Sequence, residues 1–220
     1  MKIELHTLYW DNGTRLVEAQ KKVYEHLGIN INYHHLNGVP HGAWMNNIMD
    51  NTTSDVVGFI DNDCVITNKE ILHQCLSYAG NKESFVSAAQ ATNHIQPCSH
   101  IFAAPCFFII SKKCYDKLGR PTFSETPRSD VCEEICYVAE EAGVKYRALY
   151  PTHYERSPIE GLWALSNYGY YGIGTHFVGG IYHLYQGRYN TNVELFEKRC
   201  QDIINGTFTT DGMNNCLDFI

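Results

Sequence analysis

The chain has 220 residues, 44% of them apolar and 19% charged, which suits one α/β core and excludes collagen-like, coiled-coil and disordered chains. Seventeen basic residues against 24 acidic ones leave a net charge of −7, the wrong sign for a surface built to neutralise nucleic-acid phosphates. The unusual remainder is 15 tyrosines, 11 histidines and 9 cysteines. Ile3 to Tyr9 alternates apolar and polar residues and predicts a strand, broken by Asp11-Asn12-Gly13. From Thr14, the residues Leu16, Ala19, Val23 and Leu27 recur at helical spacing, and Gly28 supplies a stop. A second strand is predicted over Ile29 to Leu36, then a Gly-Pro-flanked turn and a short helix from Ala43 to Asp50. Val56 to Ile60 is continuously apolar, as a strand buried on both faces requires. A helix over Lys69 to Ala79 and a strand over Ser84 to Ala91 follow.

This alternation of strand and helix predicts a Rossmann-like arrangement, a mostly parallel sheet flanked by helices. The later part reads as a strand at Cys106 to Ser111, short helices at Lys112 to Leu118 and Asp130 to Ala142, and a strand at Tyr146 to Tyr150. Pro151 to Gly180, rich in glycine and tyrosine, has little periodicity and is expected to form a long functional loop. The chain divides into residues 1–95 and 96–220, two halves of one continuous domain.

Nine cysteines cannot all pair within one chain, and no Cys-x-x-Cys unit occurs, so zinc ribbons and redox dithiols are disfavoured. The opening MKIELHTLYWDNG lacks the apolar run of a signal peptide, and no stretch reaches membrane-spanning length. Reduced thiols in a cytoplasmic setting are the expectation.

Asp61-Asn62-Asp63 directly follows the most hydrophobic strand. Ligands of open α/β sheets bind at the carboxyl ends of strands, and two carboxylates there can share a hard divalent cation. The same residues also read as a turn held by local side-chain hydrogen bonds. An EF-hand is excluded, because Val65 and Ile66 stand where a calcium loop needs an oxygen ligand and a glycine. Asp130 with Glu133 three residues later reads as a helix capping box.

The segment Val56-Val57-Gly58-Phe59-Ile60-Asp61-Asn62-Asp63 resembles the Asp-x-Asp strand of nucleotide-sugar glycosyltransferases of the GT-A fold. Cys106 to Ser111 with Tyr115, Leu118 and Gly119 resembles the strand and helix on that family's acceptor side. Asp130 to Gly143 resembles its next helix. Gly180 to Arg188 resembles a C-terminal element of small bacterial and phage members, and the four segments arrive in the family's order.

The resemblance implies residues 1–95 as the nucleotide-sugar-binding half and 96–220 as the acceptor-side half carrying the metal and lid elements. It implies Asp63, Asp61 and His183 as ligands of Mn²⁺ or Mg²⁺, with Asp61 turned toward ribose or an outer-sphere water. Imidazole beside carboxylates suits Mn²⁺. It implies Tyr9, Trp10 and Asp11 around the nucleobase, His41 and Asn62 on the nucleotide side, and Arg188 or Arg156 toward the diphosphate. Asp130 is implied as the base of an inverting transfer, with Glu133 and Glu134 competing for the role. A second histidine common in the family is replaced here by Gln186.

The expected activity is metal-dependent transfer of a hexose from a nucleotide-diphosphate donor, a UDP-sugar by preference, to a glycan or small-molecule acceptor, with no nucleic-acid partner. Two alternatives stand beside it. A nucleotidyltransferase also uses paired carboxylates and a metal but typically opens with a glycine-rich basic loop, where this chain has Trp10-Asp11-Asn12-Gly13-Thr14. A non-catalytic carbohydrate-binding module would use the tyrosines alone.

Overall fold

The structure, a computed structural model, describes residues 1–92, 100–156 and 161–217. In chain order the elements are β1 (Ile3–Tyr9), a 3-10 turn (Asp11–Gly13), α1 (Thr14–Leu27), β2 (Asn32–His35), α2 (His41–Asn51), β3 (Val56–Ile60) and β4 (Cys64–Ile66). Next come α3 (Lys69–Lys82), β5 (Phe85–Ala91), β6 (Ile101–Ser111), α4 (Lys112–Lys117), α5 (Glu133–Glu141), β7 (Arg147–Leu149) and β8 (Pro151–Glu155). The chain closes with β9 (Leu162–Ala164), β10 (Tyr170–Gly172), β11 (Gly174–Phe177), β12 (Ile181–Leu184), α6 (Asn190–Ile204) and β13 (Asn214–Asn215).

The central sheet has the order β2-β1-β3-β6-β5-β7. β1 runs parallel to β2 and β3, and β5 runs parallel to β7; β6 alone is antiparallel to its neighbours. The expected mostly parallel sheet flanked by helices is therefore present. β3 sits inside it with all five residues buried, which is why its sequence is apolar without alternation. α1 begins after the Asp11–Gly13 turn and ends where Gly28 adopts φ 65°, a left-handed conformation glycine takes without steric cost. One contiguous buried cluster runs from Leu5 to Ile203, so the sheet and its helices form a single domain.

A second, antiparallel sheet, β13-β8-β11-β12-β4, starts immediately beyond β3. It corrects the expected irregular stretch at 151–180: β8 and β11 of this sheet lie there, together with β9 and β10, which pair only with each other among the described strands. β8 pairs with β11 and β9 with β10 inside the stretch itself, but strands of three to five residues leave little alternation to read. The fifteen-residue α6, which packs along α1, was also not anticipated.

Other differences are local. α5 starts at Glu133 rather than Asp130, because Cys132 adopts φ 68° and interrupts the helical path. The second strand shortens to Asn32–His35, the stretch paired with His6 to Tyr9. The expected 95/96 division lies outside the described residues. All eight described cysteines are buried. Among the described residues no helix is long and apolar enough to cross a membrane.

Candidate active site

β3 ends at Ile60, and the turn 61–64 passes the chain into β4 in the other sheet. The turn is closed by the Cys64 N–H donating to the Asp61 carbonyl at 3.0 Å. β12 pairs antiparallel with β4 in the register that sets His183 against Cys64. That register brings His183 Nε2 within 3.2 Å of Asp63 Oδ1. Asp61, Asp63 and His183 each present one ligand atom within 4.8 Å of the others, so the chain assembles a two-carboxylate, one-imidazole cluster able to hold a metal ion.

Burial and the neighbouring Asp63 push the Asp61 carboxyl above its ordinary range, although His41 and His183 pull the other way. A divalent cation would relieve this crowding of negative charge. On His183, burial favours the neutral ring, while Cys106 and Asp63 favour protonation and prevail. Its Nδ1 is buried without a hydrogen-bond partner, leaving Nε2 as the nitrogen that faces the carboxylate. The donor set fits Mn²⁺, which accepts both oxygen and imidazole nitrogen, better than Mg²⁺.

A cleft opens above the cluster, lined by Leu8, Tyr9, Trp10, Asn12, His41, Asp61, Asn62 and Asp63. Tyr9 is stacked on His35 at 4.7 Å, with ring planes 7° apart. Trp10 is 42% exposed, which leaves its indole available to a flat ligand. His41 opens α2 and points Nε2 at Asp61 Oδ1, 3.4 Å away. α2 is held close by Gly42, where a Cβ would meet the backbone of Phe123 and Ser124 at 2.5 Å. The helix is keyed to the sheet by Trp44, edge-on to Phe59 at 5.4 Å, and Phe59 packs on Phe123.

Of the sequence-predicted residues, Tyr9, Trp10, His41, Asp61, Asn62 and Asp63 therefore share one cleft. Asp11 does not line it: its carboxylate accepts from Asn37 at 2.9 Å and lies 2.7 Å from His35 Nε2. Arg188 is exposed, with its guanidinium over the Tyr189 ring, and Arg156 is exposed beyond the end of β8. Gln186, at φ 57°, offers its backbone carbonyl to Asn192.

Asp130 and Glu133 lie at the start of α5. The buried Cys132 between them is pushed up chiefly by burial, with Cys136, Asp61, Cys106 and Asp130 adding to it. Glu133 is fully buried. Its Oε1 accepts from Thr92 at 2.5 Å and Tyr137 at 3.3 Å and faces His100 Nδ1 at 2.6 Å. Its Oε2 accepts the Asp130 backbone N–H at 2.8 Å. Burial raises the Glu133 carboxyl, but hydrogen bonds from His100, Thr92 and the Asp130 backbone outweigh it and hold it below the ordinary range. This is half of the expected capping box.

Sequence reasoning missed Gln20, a fully buried α1 residue whose Nε2 donates to the carbonyls of Asp61 and Cys64. The signal was present: a glutamine within the apolar stripe of Leu16, Ala19, Val23 and Leu27.

No protein-family model matches the chain, and no curated protein matches it. Among solved structures, the catalytic domain of Drosophila β1,4-galactosyltransferase 7 in complex with xylobiose aligns over 90% of this chain and 80% of that one, at 12% identity and a TM-score of 0.49. A mutant of the same enzyme with manganese, UDP-Gal and xylobiose aligns over 67% of this chain and 65% of its own, just under two thirds, at 12% identity and 0.46. A glucose-1-phosphate thymidylyltransferase from Bacillus anthracis aligns over 67% and 87%, at 10% identity and 0.42. All three scores fall below 0.5, so the functional reading rests on this chain's own residues.

Proposed function

We propose that this protein is a metal-dependent glycosyltransferase of the GT-A type, moving a hexose from a nucleotide-diphosphate donor to a glycan or small-molecule acceptor. The observation that carries this reading is the convergence of Asp61, Asp63 and the buried His183, with the two carboxylates lining a cleft shared with Tyr9, Trp10 and His41. A bound Mn²⁺ or Mg²⁺ would neutralise negative charge on the departing diphosphate. Asp63, on the turn into β4, and His183, on the paired strand β12, are assigned as ligands, and Asp61, beside His41, as the ligand nearest the ribose. The exposed Trp10 indole supplies a stacking face for the base, with a uridine nucleotide as the first donor to test. Asp11 is positioned by His35 and Asn37 at the cleft's edge, where its exposed carboxylate can accept from a base N–H. Asn62 is assigned to the nucleotide side and Arg188 to the diphosphate.

On the acceptor side, Asp130 is assigned as the carboxylate that takes the proton of the attacking hydroxyl. Glu133 supports it by holding its backbone N–H, and its own Oε1 is already occupied by three partners. The free, buried thiols of Cys64, Cys75, Cys106, Cys114, Cys132, Cys136 and Cys200 support a reducing, cytoplasmic setting.

A nucleotidyltransferase reading is less well supported. The first cation past β1 is Arg15, and its guanidinium is bound by Glu197 of α6 rather than offered to a phosphate. The deciding experiment titrates the protein with a panel of UDP-sugars, with Mn²⁺ and with EDTA, following thermal stability and nucleotide release. Metal-dependent stabilisation and release of UDP from at least one donor are expected. Binding of free glycan with indifference to every nucleotide would favour the carbohydrate-binding module and overturn the proposal.

A further inference from the structure

Gln20 occupies a position where chemistry and packing disagree. Its neighbours on the inner face of α1 are Leu16, Ala19, Val23 and Tyr24, all buried, and the Gln20 side chain is itself completely buried among them. Its Nε2 donates to the Asp61 carbonyl at 2.5 Å and to the Cys64 carbonyl at 2.7 Å. Those two oxygens belong to the first and last residues of the turn that carries Asp61 and Asp63. An amide oxygen aimed at two carbonyl oxygens would be repelled, so the network determines which end of the amide faces the turn.

The other end, Oε1, is buried with no partner. Interior polar groups are ordinarily satisfied, and a side chain kept only for packing would be apolar here. The donor end makes two bonds to one turn while the acceptor end makes none. What Gln20 contributes is therefore concentrated at that turn.

We infer that Gln20 is a positioning residue for the metal ligands, fixing both ends of the turn 61–64 so that the Asp61 and Asp63 carboxylates meet His183. Both carboxylates spring from this one turn, so a small rotation of its peptide planes would move them apart. Among the described residues the remaining side-chain donor to the turn's carbonyls is the Tyr24 hydroxyl, 3.4 Å from the Cys64 oxygen. The inference rests on the proposed divalent-cation site, and its test separates the two.

The full chain is titrated with Mn²⁺ alone, and free Mn²⁺ is counted by its electron paramagnetic resonance signal. The wild type is expected to bind; no binding would overturn the metal-site reading itself. Gln20→Met keeps the volume and removes the donor, and is expected to weaken Mn²⁺ binding about tenfold, as loss of an outer partner of a metal ligand does. Gln20→Asn keeps an amide but is one methylene shorter than the span to both carbonyls, and carries the same expectation. Arg199→Met, at a buried ion pair with Glu155 away from the turn, is the destabilised control: its melting temperature should fall with Mn²⁺ affinity unchanged. Wild-type affinity in both Gln20 variants, or an equal loss in Arg199→Met, would overturn the role of Gln20.

Discussion

His183 Nε2 and Asp63 Oδ1 lie 3.2 Å apart although 120 residues separate them in the chain. The contact is made where the turn 61–64, leaving the central sheet after β3, enters the second sheet. Asp63 directly precedes β4, its carbonyl accepts the Leu184 N–H at 2.9 Å, and His183 stands on β12, the strand paired with β4. The geometry of the proposed metal centre is thus also the geometry of the joint between the two sheets.

Removing either partner should expose this dependence. Asp63→Ala is expected to reduce metal-dependent release of UDP from a UDP-sugar at least about hundredfold, with the fold retained by circular dichroism. His183→Ala should retain a carboxylate pair with greater tolerance of Mg²⁺, because the nitrogen ligand that favours Mn²⁺ is gone. Turnover of Asp63→Ala at the wild-type rate would refute the ligand assignment.

A backbone approach tests the cleft wall. A methyl group at Gly42 would stand 2.5 Å from the Phe123 carbonyl oxygen and the Ser124 Cα, neither of which is a mobile side-chain tip. Gly42→Ala should cost about 1–3 kcal/mol by overpacking and displace the start of α2. Since His41 precedes it and faces Asp61, nucleotide affinity should weaken as well, as read by calorimetry.

Acid should destabilise the protein through two histidines. Burial, with the charge of His34 assisting, lowers His6 to about 4; burial, with His153 assisting, lowers His176 to about 4. The unfolded chain then binds protons near pH 6.5 that the folded chain refuses until about 4. Stability should therefore fall as pH drops through this window, by up to about 3 kcal/mol per histidine, and level off for these groups below it. Urea unfolding from pH 7 to 4 measures the slope, and His6→Asn should flatten it. Glu133, held below its ordinary range, adds a loss at still lower pH.

The bond between Glu155 and Arg199 joins β8 to α6, with the Tyr182 hydroxyl also donating to Glu155 at 3.0 Å. Arg199→Met leaves a largely buried carboxylate without its cation, and should lose roughly 3 kcal/mol. For a chain of this length that lowers the melting temperature by about 6–12 °C. Calorimetric melting checks it; a change below about 2 °C would show that the pair is not structural.

Much of the central sheet is visible in local patterns. Ile3 to Tyr9 alternates because β1 has unlike faces, and Val56 to Ile60 does not because β3 has none exposed. Thr14 to Leu27 follows helical spacing up to Gly28. Asp61-Asn62-Asp63 was legible for the same reason: polar residues directly after a buried strand mark its exit from the core. Position along one strand is a local property, and side-chain order records it.

The rest depends on pairing between distant segments. Residues 151–180 looked irregular because short strands such as β9 and β11 carry too few residues to show a period, although β9 pairs with β10 and β11 with β8 inside the same stretch. The start of α5 moved to Glu133 because Cys132 takes a left-handed backbone that no propensity at that position predicts. His183 was marked as a ligand by resemblance alone; what brings it to Asp63 is the pairing of β12 with β4 in a register opposing it to Cys64. Gln20 looked like a polar interruption of a helix face until β3 and β4 placed two carbonyls against it. Sequence order carries the chemistry of each ligand and its local element. Which ligands meet is decided by strand register and helix packing, because those pair backbone and side-chain groups without regard to their separation along the chain.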